Sequence, residues 1–122
     1  MATYSPQLLD HFEHPRNVGE IECADAIAEV ENPACGDIMR LSLKLDGGRI
    51  AQARFLTKGC VPSIACGSAL TELLQGKSAA EARALRRVDL VAAVGGLAPE
   101  SQHASHLAMD ALAAALNQLK GN

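Results

Sequence analysis

The chain has 122 residues, enough for one domain with a genuine core. Hydrophobic residues make up 48% and aromatic residues only 2%, so that core must be built from Leu, Ile, Val, Ala and Met. The formal net charge of −3 argues against a nucleic-acid partner, which wants a basic face, and no apolar run approaches the ~20 residues of a membrane span.

Met1 to Pro6 carries neither a basic leader nor an apolar stretch, so no signal peptide is expected and a cytoplasmic location follows. In that compartment the four cysteines are expected to be free, metal-bound or reactive rather than paired as disulfides. Ser5-Pro6 reads as the cap and first position of a short helix, with Leu8, Leu9 and Phe12 on its apolar face and its end before Pro15. His14 to Gly19 is irregular. Ala26 to Glu31 is a weak strand, in which Ala28 and Val30 alternate with Glu29 and Glu31.

Ile38 to Leu45 is the clearest strand: Met39, Leu41, Leu43 and Leu45 face one way, and Arg40, Ser42 and Lys44 the other. Asp46-Gly47-Gly48 signals a hairpin. Ile50 to Leu56 returns as the next strand, with Ala51, Ala53 and Phe55 expected on the core side. Pro62 then starts a helix that runs through Gln75, supported by Ile64, Leu70, Leu73 and Leu74 and stopped by Gly76. Ser78 to Glu81 is a capping box for a further short helix. Val88 to Val94 is another, stopped by Gly95-Gly96. Ser101 is expected to cap a last, long helix reaching about Leu119, with Leu112, Leu116 and Leu119 in the core. No internal repeat or linker interrupts this order, so residues 1–122 read as a single domain. One helix, three strands and then helices argue for an α+β fold, a small antiparallel sheet with helices on one face.

The chemistry-bearing residues gather at the open end of the hairpin. Its two strands carry Cys35-Gly36-Asp37 at one end and Lys58-Gly59-Cys60 at the other, so local structure alone brings Cys35 and Cys60 together. Thiolates are soft, charged donors that bind zinc and iron–sulfur clusters. Gly36 and Gly59 would let backbone approach a bound ion. A helix starting just after Cys60 should favour that thiolate. Asp37 is either an oxygen ligand or an ordinary turn carboxylate. His103 and His106, near the start of the last helix, offer an imidazole for the same site or are solvated, His106 also lying one turn before Asp110. His11 and His14 read as surface residues. Cys66, inside the helix begun at Pro62, reads as a small buried hydrophobe and Cys23 as a loop residue. Cys60 and His103 have the chemistry of a nucleophile–base pair, but no oxyanion-hole motif accompanies them, so an enzyme is not expected.

These residues resemble the scaffold family of iron–sulfur cluster assembly, the IscU/SufU type and the N-terminal domain of NifU. Leu9-Asp10-His11-Phe12 with Pro15-Arg16-Asn17-Val18-Gly19 is similar to its N-terminal signature. Pro33-Ala34-Cys35-Gly36-Asp37-Ile38-Met39 is similar to its first ligand motif and Lys58-Gly59-Cys60 to its second. His103, with Leu107-Ala108 and Asp110-Ala111 after it, is similar to the third. The resemblance covers nearly the whole chain. It implies three antiparallel strands with several helices, and a site of Cys35, Asp37, Cys60 and His103 that holds zinc, iron or a nascent [2Fe–2S] cluster. It also implies two kinds of partner, a cysteine desulfurase and acceptor apo-proteins.

The chain departs from the pattern in one important place. The family sets a third cysteine directly after the histidine, and here that position is Ala104. Leu97-Ala98-Pro99-Glu100-Ser101 stands where the IscU branch docks a dedicated chaperone through a Pro-rich segment ending in Val-Lys, so that docking is not carried over. The spacing between Cys60 and His103 gives no sign of the insertion that marks the SufU branch. Cys66 is a possible replacement ligand. Three readings follow: a divergent scaffold-like protein, a zinc-binding structural or regulatory module that no longer builds clusters, and a protein that only binds and modulates a desulfurase or a true scaffold.

Overall fold

Ser5 opens the first helix as its sequence position predicts. Its hydroxyl accepts the Leu8 backbone N–H at 2.9 Å, Pro6 follows at the first helical position, and α1 runs Pro6–Glu13. The same hydroxyl donates to the Val94 carbonyl and so ties α1 to a distant part of the chain. The computed structural model describes residues 4–33 and 36–119, so Cys35 and Ala34 lie outside the described residues.

Three strands, β1 (Ala26–Glu31), β2 (Ile38–Asp46) and β3 (Arg49–Lys58), form an antiparallel sheet in the order β1-β2-β3. The register places Leu41 between Ala28 and Phe55, and Leu43 between Ala26 and Ala53. These residues and Met39 share one face and are buried. Four helices follow: α2 (Val61–Leu74), α3 (Ala79–Arg83), α4 (Arg87–Ala93) and α5 (Gln102–Asn117). α5 packs on β1 and β2, while α2 packs on β3, α1 and α5. This is the α+β arrangement expected, with a three-stranded antiparallel sheet and a long C-terminal helix.

α2 is buried around most of its circumference, as a central helix must be. Ala65, Cys66, Gly67, Ser68 and Ala69 are all buried, and their small size lets neighbours approach from several sides. Gly67 marks the closest approach. A Cβ there would come within 2.4 Å of the Phe55 ring.

The structure corrects three local expectations. Ala51 does not face the core; Ile50 does, and it is fully buried. The register shifts between Lys44 and Leu45: Lys44 pairs with Gln52 and Leu45 with Ile50, which leaves Ala51 as an extra residue. The alternation therefore changes phase at the start of β3. Ser101 precedes α5 but makes no side-chain cap, because a 3₁₀ turn over Pro99–Ser101 leads directly into the helix and places Ser101 in helical backbone geometry. His11 is not a surface residue. It is 8% exposed, with Nδ1 at 2.8 Å from the Ser68 hydroxyl of α2, whereas His14 is exposed as expected.

Candidate metal centre

The β2–β3 ladder ends with Ile38 opposite Lys58. Asp37 on one strand and Gly59-Cys60 on the other therefore leave the sheet side by side. Cys60 then takes extended backbone angles (φ −79°, ψ 170°) as the residue before α2, with Val61 and Pro62 opening the helix. α5 arrives from the far end of the chain with His103 in its first turn. Sheet edge, α2 and α5 thus converge, and Asp37, Cys60 and His103 bring one ligand atom each to within 4.8 Å of one another.

Within that group the Cys60 sulfur lies 3.1 Å from Asp37 Oδ2 and 3.6 Å from His103 Nε2. The Ser63 hydroxyl donates to Asp37 Oδ2 at 2.7 Å and sits 3.3 Å from the Cys60 sulfur. The Cys60 backbone N–H points at the same Asp37 oxygen from 3.4 Å. Asp37 and Ser63 are buried, while Cys60 and His103 are partly exposed.

Burial pushes the Cys60 thiol above its ordinary value. The hydroxyl of Ser63 works against that rise and the Asp37 carboxylate adds to it. The helix start was expected to favour the thiolate; burial and the facing carboxylate outweigh it. A cation held by Cys60 and Asp37 would favour the thiolate, because metal ligation requires the deprotonated sulfur.

Gly59 has a requirement that the sequence did not indicate. Its Cα is packed against Asp37, and a Cβ there would stand 2.6 Å from Asp37 Cγ and 2.8 Å from Oδ2. The missing side chain makes room for the carboxylate. Gly36, by contrast, has φ +78° and open space around it, so its requirement is conformational.

The other candidates among the described residues fall outside the cluster. Cys66 is fully buried one helical turn and a half along α2, among core residues, and burial pushes its thiol up to about 12. It is not among the groups gathered within 4.8 Å. His106 and Cys23 are exposed. Ala104 is fully buried beside His103 in the hydrophobic core. Ser63 is the residue that reading the sequence missed. Its signal was faint: a hydroxyl three positions after Cys60 in the first turn of the helix, in a sequence where such residues usually serve the backbone.

A thiol, a carboxylate and an imidazole suit a tetrahedral zinc or iron centre, with a fourth position left for another donor. No helix among the described residues is long and apolar enough to cross a membrane.

The family model described as NifU-like N terminal domain matches residues 3–122. Over 113 residues the chain is 44% identical to the iron-sulfur cluster assembly scaffold protein IscU 1 of Archaeoglobus fulgidus, covering 93% of this chain and 74% of that protein. Over 121 residues it is 43% identical to the iron-sulfur cluster assembly scaffold protein IscU of Escherichia coli strain K12, covering 96% and 94%. It is 45% identical to the nitrogen fixation protein NifU of Cereibacter sphaeroides and spans 49% of that longer protein. A crystal structure of a nitrogen-fixing NifU-like protein (N-terminal) from Brucella abortus superposes with a TM-score of 0.76 at 24% identity, over 95% of this chain and 93% of that one. That likeness bears on the fold.

Proposed function

Since this chain belongs to the NifU-like N-terminal domain family, which includes IscU-type scaffolds, we propose that it is an iron–sulfur cluster assembly scaffold. In this reading residues 1–122 act as one domain that carries cargo, a [2Fe–2S] cluster or its iron, and catalyses no reaction of its own. The ligands are Asp37, Cys60 and His103, joined by Cys35, which is two residues from Asp37 in the chain. The observation that carries the reading is the convergence of those three donors at a partly exposed seam between the sheet end and two helix starts. Cargo that must be loaded and passed on needs such an opening. A cysteine desulfurase as sulfur source and apo-proteins as acceptors complete the reading, in the cytoplasm.

The mixed donor set supports a second reading. One nitrogen, one oxygen and two sulfurs make a complete tetrahedral zinc site but a poorer cluster site than three thiolates would. A zinc module, structural or regulatory, would keep the same residues. Ala104 is where the readings separate, because it occupies the position after His103 at which the resemblance implies a third thiolate.

Anaerobic reconstitution with iron, sulfide and reductant tests both. The scaffold reading expects a labile [2Fe–2S] chromophore in the parent, lost in Cys35→Ala and Cys60→Ala, and a longer-lived one in Ala104→Cys. About one zinc per chain in the parent, with no chromophore in either parent or Ala104→Cys, would decide for the zinc module. Parent protein that takes up neither metal nor sulfide under reducing conditions would overturn both and leave the modulator of a desulfurase or scaffold.

A further inference from the structure

The metal-centre reading does not account for Ser63. This side chain is 0% exposed, in the first turn of α2, and touches two of the three clustered donors. We propose that Ser63 is a positioning residue that holds the Asp37 carboxylate in the posture from which it binds metal, and that Gly59 forms a second wall of the same socket. The inference rests on the metal-centre reading above and deepens it.

Asp37 stands just outside the sheet, at the end of the turn that enters β2, where a carboxylate would ordinarily swing into solvent. Instead it is 8% exposed. The 2.7 Å bond from the Ser63 hydroxyl is short and charge-assisted, and it fixes Oδ2 at a defined distance from the Cys60 sulfur. Gly59 presents bare Cα to the same carboxylate, with too little room for even a methyl group. The hydroxyl bond and the missing side chain both constrain where the carboxylate sits. A socket of this kind matters for a ligand in a way it does not for a surface turn. An outer partner that orients a ligating carboxylate typically contributes 10–100-fold to metal affinity.

The purely structural alternative is that the Ser63–Asp37 bond only fastens the hairpin to α2. It predicts a change in stability without a change at the metal. A double-mutant cycle on zinc affinity, measured by competition with a chromophoric chelator, distinguishes the two. Ser63→Ala should weaken zinc binding about tenfold in the parent and by less than about twofold in an Asp37→Ala background, because Ser63 acts through Asp37. Gly59→Ala should weaken zinc similarly, by pushing the carboxylate from its seat. Cobalt(II) supplies a spectroscopic readout. Its d–d bands should change in both variants, since a displaced carboxylate alters the ligand field, while thermal melts report stability separately.

Equal losses from Ser63→Ala in the two backgrounds would overturn the inference, as would zinc affinity and cobalt spectra unchanged in both Ser63→Ala and Gly59→Ala. Should Ser63→Ala fail to fold, Gly59→Ala with its cobalt spectrum decides. The failure of the underlying reading looks different: a parent that binds no zinc, or a Cys60→Ala variant that binds as well as the parent, removes the metal centre and the inference with it.

Discussion

His11 shows how much a single residue's environment decides. Its ring is buried against Ser68, with Glu72 3.6 Å from Nε2 and the Arg16 guanidinium 3.3 Å from Nδ1. Burial holds the imidazole below its ordinary value of about 6.5, and Arg16 adds to that, while Glu72 and Asp10 pull the other way. The fold therefore prefers the neutral ring. Below pH ~6.5 the unfolded chain takes up a proton that the folded chain resists, so this contribution is complete above that pH and is lost as pH falls through the lower folded value. The melting temperature should drop from pH 7 to pH 5. His11→Asn, which keeps a hydrogen-bonding group near Ser68 but cannot titrate, should flatten the drop. An equally steep drop in the variant would assign it to other groups. Nothing near His11 in the chain announces this burial, because Ser68 lies 57 residues away. The meeting of Asp37 and Cys60 has the opposite origin: the register of the hairpin that the sequence signals sets the two strand ends side by side.

At the scale of elements, caps and turns carried most of the information. Ser5 with Leu8, and Ser78 with Glu81, make the side-chain bonds their positions imply, since a cap is a contact between residues three apart. What failed was phase and packing. One extra residue at Ala51 turned the start of β3 over, and a run of alternating residues cannot reveal where a ladder skips. The packing of α2 on β3 was equally hidden, because a glycine inside a helix reads as a weakness in isolation. Here Gly67 is a requirement. Gly67→Ala gains roughly 1 kcal/mol of helix propensity. It also drives a methyl into the Phe55 ring, whose side chain is 2% exposed and has no solvent to move into. Overpacking of this kind costs about 1–3 kcal/mol, so the net effect should be a loss of about 1 kcal/mol, read as a lower urea midpoint at constant slope. A raised midpoint would show that the ring yields more easily than its burial implies.

The whole molecule is coupled to its candidate site through where the donors come from. Asp37 belongs to the entry of β2, Cys60 to the junction of β3 with α2, and His103 to the first turn of α5. These segments meet only when the sheet, the central helix and the C-terminal helix have packed, and the sequence separation of 66 residues between Asp37 and His103 means that an unfolded chain gathers them at random. Metal should therefore bind the folded state far better than the unfolded one, and binding should appear as stability. At free zinc a hundredfold above the dissociation constant the gain is about 2.7 kcal/mol. For a domain of this length that is a rise in melting temperature on the order of 10 °C. Cys60→Ala should abolish most of the rise, and a chelator should reverse it in the parent. His103→Ala should retain more of it than Cys60→Ala, because the loss of an imidazole leaves the anionic donors in place. If zinc bound the parent with no change in melting temperature, the unfolded chain would have to bind it equally well. The ligands would then have to be neighbours in sequence, which Asp37, Cys60 and His103 are not.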